Sequence, residues 1–168
     1  MLDNDKVKEI EKYYAQCEQE GANEYQIEES QKAVAKMEAI IGDPDILRAV
    51  AEDFINHYET RVREGATVAG KALFVCANRY IAYDFYKIVT ELRPEWAEKK
   101  ICSDDVILDD KDKKELKPME KIKLVMTRNK DDEKDLFDML GTKDDRKEFD
   151  RQFKNPKSNF KIAIVVDM

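Results

Sequence analysis

The residue types that most often do chemistry are scarce in this sequence. There is one histidine, His57, and there are three cysteines, Cys17, Cys76 and Cys102. No two of these four lie at the short spacing that zinc ligands need, so a structural zinc site is not expected. An odd, sparse cysteine count suits a reducing cytosol, and a cytoplasmic protein is expected. His57 lies beside an apolar helical stripe, next to Tyr58. No nucleophile or carboxylate pairs with it by motif, so it reads as a partly buried helix residue rather than a general base. Asp104, Asp105, Asp109 and Asp110 could in principle hold a hard cation. Their spacing matches no calcium loop and lysines are interleaved, so the stretch reads as solvated. Cys76 reads as core, and Trp96, just past Pro94, as the anchor of a helix end.

Two further features concern phosphate. Gly65-Ala-Thr-Val-Ala-Gly70-Lys71-Ala72 matches the spacing of a phosphate-binding loop. Such a loop must follow a strand and open a helix, so that backbone N–H groups and the helix N-terminus face the phosphates. Here a helix is predicted before it and a strand after it, and the Mg²⁺-binding Ser/Thr is replaced by Ala72. It is read as a linker. Arg79 is different. It follows the C-terminal end of a predicted strand at the opening of a helix. In open parallel sheets that edge is where ligands bind, which makes Arg79 the strongest candidate of the set.

The elements that position these residues follow from periodicity. Three amphipathic helices are predicted over the first 64 residues. The first carries Val7, Ile10, Tyr14 and Cys17 and stops at Gly21. The second carries Ile27, Val34, Met37 and Ile41 on one face and stops at Gly42. In the third, Asp43 is placed to cap and Pro44 suits the first helical position. Its stripe is Leu47, Val50, Ala51, Phe54, Tyr58 and Val62, and Gly65 closes it. Such helices need a partner surface.

Beyond Gly70 the pattern changes. Ala72–Cys76 is a continuous apolar run, as in a buried parallel strand. Asn78 is placed to cap a helix carrying Ile81, Phe85, Ile88 and Leu92, which ends before Pro94. A polar insertion follows over 101–118, with one short strand predicted at Val106–Leu108. Ile122–Met126 is a second strand. Residues 131–155 read as helical, broken near Gly141 with Thr142 as a cap, and Phe149 and Phe153 face inward. Ile162–Val166 is a third buried strand. Alternating strands and helices predict an α/β layer with a parallel sheet. The predicted division is a helical segment over 1–66 and an α/β segment over 67–168. With no element after the third strand to cover it, the sequence reads as a piece of something longer.

Composition bounds the rest. The 168 residues include only five glycines and four prolines, which excludes collagen-like and low-complexity classes. No apolar run approaches the ~18 residues of a membrane span, and the charged N-terminus is not a secretory signal. The net charge is −7, which argues against a free-standing DNA binder. The excess is local, however. Residues 1–66 carry 8 basic and 16 acidic side chains, whereas 67–168 carry 22 and 21.

From Lys71 onward the sequence resembles the second motor domain of superfamily 2 helicases and translocases, most nearly the R subunit of type I restriction enzymes. GKALFVCANRYIAYDFYKIVTELRPEW (70–96) is similar to that family's motif IV strand and helix. KIKLVMT (121–127) is similar to the next strand. DDRKEFDRQFKNPKSNFKIAIVVDM (144–168) is similar to the helix and strand that open motif V, and 51–65 to the segment preceding motif IV. Asn78 stands where the family usually has Ser, and Arg128 where it usually has Gly.

The resemblance implies a partial RecA-like domain of an ATP-dependent DNA translocase. It implies that Asn78, Arg79, Thr127 and Arg128 face DNA phosphates, contacts that position the backbone without reading sequence. Asp167 would begin motif V. ATP and Mg²⁺ would belong to the whole parent subunit, with none expected on this segment, whose sequence lacks the family's Walker and nuclease motifs. Double-stranded DNA and the methyltransferase and specificity subunits are the implied partners, with no membrane. Two other readings stay open: a stand-alone nucleotide-binding or receiver-like α/β domain, and a helical interaction module carried by 1–64. Neither a glycine-rich turn after a strand nor an aspartate pair closing the first strand supports the former.

Overall fold

Residues 8, 11–13, 15–16 and 24–166 are described by the structure, a computed structural model. The apolar stripe of the first predicted helix, Val7, Ile10, Tyr14 and Cys17, falls on residues outside that set, while residues 8, 11–13 and 15–16 of that segment are helical. The chain divides into two compact units, Met1–Asp43 and Pro44–Met168. The first contains α1 (Glu24–Ile41), which ends at Gly42 as its sequence predicts. Lys32 pairs with Glu28 one turn earlier at 2.8 Å. Val34, Met37 and Ile41, the apolar stripe of α1, are exposed.

The second unit opens with α2 (Pro44–Arg63). Pro44 sits at the first position, Asp45 in the first turn and Arg61 and Arg63 in the last, each on the side the helix dipole favours. Its buried residues are Leu47, Ala51, Ile55 and Tyr58. The predicted stripe is therefore rotated: Ile55 is in the core, while Val50 and Val62 are exposed. The seam Leu47, Ala51, Ile55, Tyr58 packs mainly against one neighbouring helix. His57 falls off this seam and is exposed, not partly buried.

That neighbour is α3 (Arg79–Leu92). Asn78 Oδ1 accepts from the N–H of Ile81 at 2.9 Å, the cap expected from sequence. Ile81, Ala82, Phe85 and Val89 are buried. Phe85 stacks on Phe74 of β1 (Ala72–Cys76) with ring centroids 4.0 Å apart. Phe54 of α2 meets both rings edge-on, at 5.7 and 5.1 Å. One aromatic cluster thus joins two helices to the sheet. Trp96, in a single helical turn over Pro94–Ala97, is buried against Tyr58.

The insertion contains α4 (Asp110–Glu115), whose capping box is formed by Asp109 and Asp112. Val106–Leu108 is not a strand, and Ile107 is 92% exposed. Without a sheet neighbour to accept its backbone groups, an apolar triplet gains nothing from extending. Then come β2 (Ile122–Leu124), α5 (Lys134–Leu140), α6 (Lys143–Lys154) and β3 (Ile162–Val166). Thr142 caps α6 in a reciprocal box with Asp145. The break predicted near Gly141 is where α5 stops and α6 starts.

The three strands form a parallel sheet in the order β1-β3-β2. Ala72 and Ile122 both register on Ile162. The last strand in sequence is the central one, and Ile162, Ala163 and Ile164 are buried. Elements earlier in the chain therefore cover it. On the α2–α3 side lie Ile162 and Ile164 with Phe85. On the other side Ala163, Phe160 and Met119 pack against Phe149 and Phe153 of α6. The predicted inward faces of those two phenylalanines are as observed.

β1 departs from its sequence pattern. It is an edge strand, and Leu73 and Val75 are 59% and 54% exposed. The apolar run is buried on one face only, because among the described residues α6 covers β3 but not β1. The architecture is thus α/β, a three-stranded parallel sheet flanked by helices. It is consistent with a partial RecA-like sheet.

Gly141 joins α5 to α6 at a φ of +66°, and a Cβ there would lie 2.8 Å from the Cβ of Asp145. Gly141→Ala should therefore cost about 2 kcal/mol, through left-handed backbone strain plus a clash on the α6 capping box. A urea titration should show a lower midpoint with an unchanged slope.

Candidate nucleic-acid interface

The strands run parallel, so their C-terminal ends share one edge of the sheet. Two loops leave that edge among the described residues. After Cys76, the chain turns through Ala77 and Asn78 directly into α3. After Leu124, Val125 still donates to the carbonyl of Ile164 at 2.8 Å, and the chain then loops over 126–133 before α5. Asn78 and Arg79 stand on the first loop, Thr127 and Arg128 on the second.

The structure brings the two loops together through Arg79. Its Nε donates to Asp132 Oδ1 at 3.1 Å, and its Nη2 lies 2.6 Å from both Asp132 oxygens. Nη2 also donates to the carbonyl of Thr127 at 3.1 Å. The pair is largely withdrawn from water, with side-chain exposures of 14% for Arg79 and 4% for Asp132. Asp132 is held in turn by the backbone N–H of Asn129, 2.7 Å from Oδ2. A fork-to-carboxylate pair of this kind fixes geometry as well as charge. Opening it would strand a buried carboxylate, at a cost of about 3–5 kcal/mol. One new hydrogen bond to a charged group returns only about 1.5–3 kcal/mol. The pair is therefore closed unless something larger than a single contact opens it.

Arg128 is anchored separately. Its Nε donates to the carbonyl of Phe137 at 2.8 Å, and the guanidinium lies over the Phe137 ring at 4.3 Å. Thr127 is exposed. The Asn78 side chain is committed to the cap of α3. Asp167 lies outside the described residues.

Asp132 was not singled out in the sequence. It is 53 residues from Arg79 and sits in an acidic run that reads as the start of a helix. No spacing rule links it to Arg79.

The chain is similar to two curated proteins over most of its length. It is 32% identical over 149 residues, 88% of the chain, to the MjaIXP endonuclease subunit of Methanocaldococcus jannaschii, named for a type I restriction enzyme. It is 28% identical over 141 residues, 84% of the chain, to the type I restriction enzyme HindI endonuclease subunit of Haemophilus influenzae. The chain is a relative of part of a type I restriction enzyme endonuclease subunit. It spans 12% of the length of each of these relatives. No family model and no solved structure matches it. The similarity to type I endonuclease subunits agrees with the resemblance carried by residues 70–96, 121–127 and 144–168, and no helix among the described residues is long and apolar enough to cross a membrane.

The remaining sequence candidates take structural roles in this relative of the type I subunits. The glycine-lysine segment over 65–72 lies between α2 and β1, so it opens a strand and cannot present a helix N-terminus. Lys71 Nζ donates to the carbonyls of Phe160 at 2.6 Å and Asn155 at 3.1 Å. Cys76 is buried, and burial pushes its thiol up to about 11. Asp109 caps α4, and Asp104 lies 3.6 Å from Lys100. Among the described residues no three His, Cys, Asp or Glu side chains converge as a metal would require.

Burial, with the neighbouring charge of Lys161, lowers Lys71 from 10.5 to about 8. The unfolded chain then binds more protons than the folded one between pH ~8 and ~10.5. Stability from this group is present at high pH and lost as pH falls through about 8. The urea stability of the wild type relative to Lys71→Met should therefore rise between pH 8 and 10.

Proposed function

We propose that this chain is a segment of the DNA-translocating motor in the endonuclease subunit of a type I restriction enzyme, forming part of its second RecA-like domain. The observation that carries the reading is the similarity to endonuclease subunits over more than four-fifths of the chain. The parallel sheet, with Arg79 and Arg128 at its C-terminal edge, supports it.

In this reading Arg79 and Arg128, with Asn78 and Thr127, line a track for the phosphates of double-stranded DNA. Contacts of this class set register and orientation and leave base sequence to other parts of the enzyme. Asp167 opens the segment that couples the DNA track to the nucleotide. ATP and Mg²⁺ act in the cleft between the two motor domains of the whole subunit. The methyltransferase and specificity subunits are its partners, in the cytoplasm. The acidic balance of residues 1–66 and the pairing of Arg79 with Asp132 make DNA binding by the chain alone weak.

The test is a salt titration of binding to a duplex of arbitrary sequence. Arg79→Gln, which keeps a donor toward Asp132, should weaken binding equally across sequences. It should also reduce the slope of log affinity against log salt by roughly 1. An unchanged slope removes Arg79 from the track. The chain alone should turn over no ATP, and turnover that survives repurification would defeat that assignment.

A further inference from the structure

We propose that Asp132 is a positioning residue for the DNA track: it fixes the Arg79 guanidinium so that a phosphate is met by the Nη1 edge, with the Nε edge kept on the protein. The inference rests on the reading of Arg79 as a phosphate contact. It adds a residue that the motif-based assignment does not contain, and it says which part of Arg79 works.

The geometry carries the argument. An arginine can meet an oxyanion through its Nε–Nη2 edge or its Nη1–Nη2 edge. In this structure the first edge is filled. Nε and Nη2 both face Asp132, and the second hydrogen of Nη2 goes to the carbonyl of Thr127. Nη1 is not among the donors those partners use. Asp132 is itself fixed, by Asn129 N–H from its own loop. The loop is therefore braced on Arg79 and Arg79 on the loop.

A competing reading has Asp132 as a latch, an internal carboxylate that occupies the phosphate position until DNA displaces it. Burial decides against it. At 4% exposure the Asp132 carboxylate would lose the guanidinium with little water to replace it, and one phosphate contact does not offset that loss. A latch also needs a loop free to swing, whereas this one is tied to α3 through Arg79 Nη2 and the Thr127 carbonyl.

The two readings separate in a direct measurement on the 168-residue chain. The ¹⁵N-labelled chain is titrated with a short DNA duplex at low salt, and the Arg79 side-chain signals are followed. Positioning by Asp132 predicts shifts at Nη1, with the Nε–H signal and its slow exchange unchanged. Loss of the Nε–H protection on binding would overturn the proposal in favour of a latch.

Substitution supplies the second arm, with melting temperatures measured alongside. Asp132→Asn keeps an acceptor for Asn129 N–H but loosens the fork. It should weaken DNA binding by about tenfold, the equivalent of one charged contact, and lower the salt slope by roughly 1. Combined with Arg79→Gln it should add nothing further, because both changes remove one contact. Equal or tighter binding by Asp132→Asn would overturn the proposal. If Asp132→Asn does not fold, the wild-type titration decides alone. If Arg79→Gln leaves binding unchanged and no Arg79 signal moves, it is the phosphate reading that fails, and the proposal falls with it.

Discussion

The parallel sheet depends on the insertion of β3 between β1 and β2. Neither outer strand contacts the other in the sheet; each is hydrogen-bonded to β3 alone. The register Ala72 and Ile122 on Ile162 levels the three strands, so that their C-terminal ends form one edge. Ile162 and Ile164 complete the core that Phe85, Phe74 and Leu124 begin. Until this late strand arrives there is no sheet, and the loops bearing Arg79 and Asp132 have nothing to hold them side by side. Contacts of such long sequence separation are slow to form and cooperative once made.

The two edges of the sheet are built from different cations. At the amino edge, Lys71, Lys121 and Lys161 each directly precede a strand, and backbone bonds link their positions. Their charges are held by carbonyl oxygens and ring faces. Lys161 Nζ donates to Pro156 at 2.6 Å, and Lys121 lies over Trp96 and Tyr58. Burial lowers all three. At the carboxyl edge Arg79 and Arg128 keep their charge and present a planar fork. A permanently charged group with fixed direction suits an anion track better than a lysine with a lowered pKa.

Polar side chains help bind the insertion over 101–118 to the sheet layer. Gln152, 1% exposed on α6, donates to the carbonyl of Glu115 at 3.0 Å and accepts from the N–H of Lys117 at 3.3 Å. Lys157 closes the other end on Asp112 at 2.5 Å. What reads as a solvated acidic run is thus partly an assembly of caps and clasps, with Asp109 and Asp112 spent on α4.

Sequence alone determined what local physics controls. Pro44, Asn78, Gly141 and Thr142 mark helix ends because capping and backbone conformation are settled by neighbouring residues. The three apolar runs mark strands, and their alternation with helices marks a parallel sheet. Strand order, by contrast, depends on which apolar faces meet. The tertiary structure alone decided that β1 lies at an edge with Leu73 and Val75 exposed, and that α2 is rotated to bury Ile55 and expose His57. The site divides in the same way. Arg79 is legible because a strand end followed by a helix cap is a local pattern. Asp132 is not, because a carboxylate 53 residues away becomes its partner only when two loops are brought to one edge by a strand that lies between them.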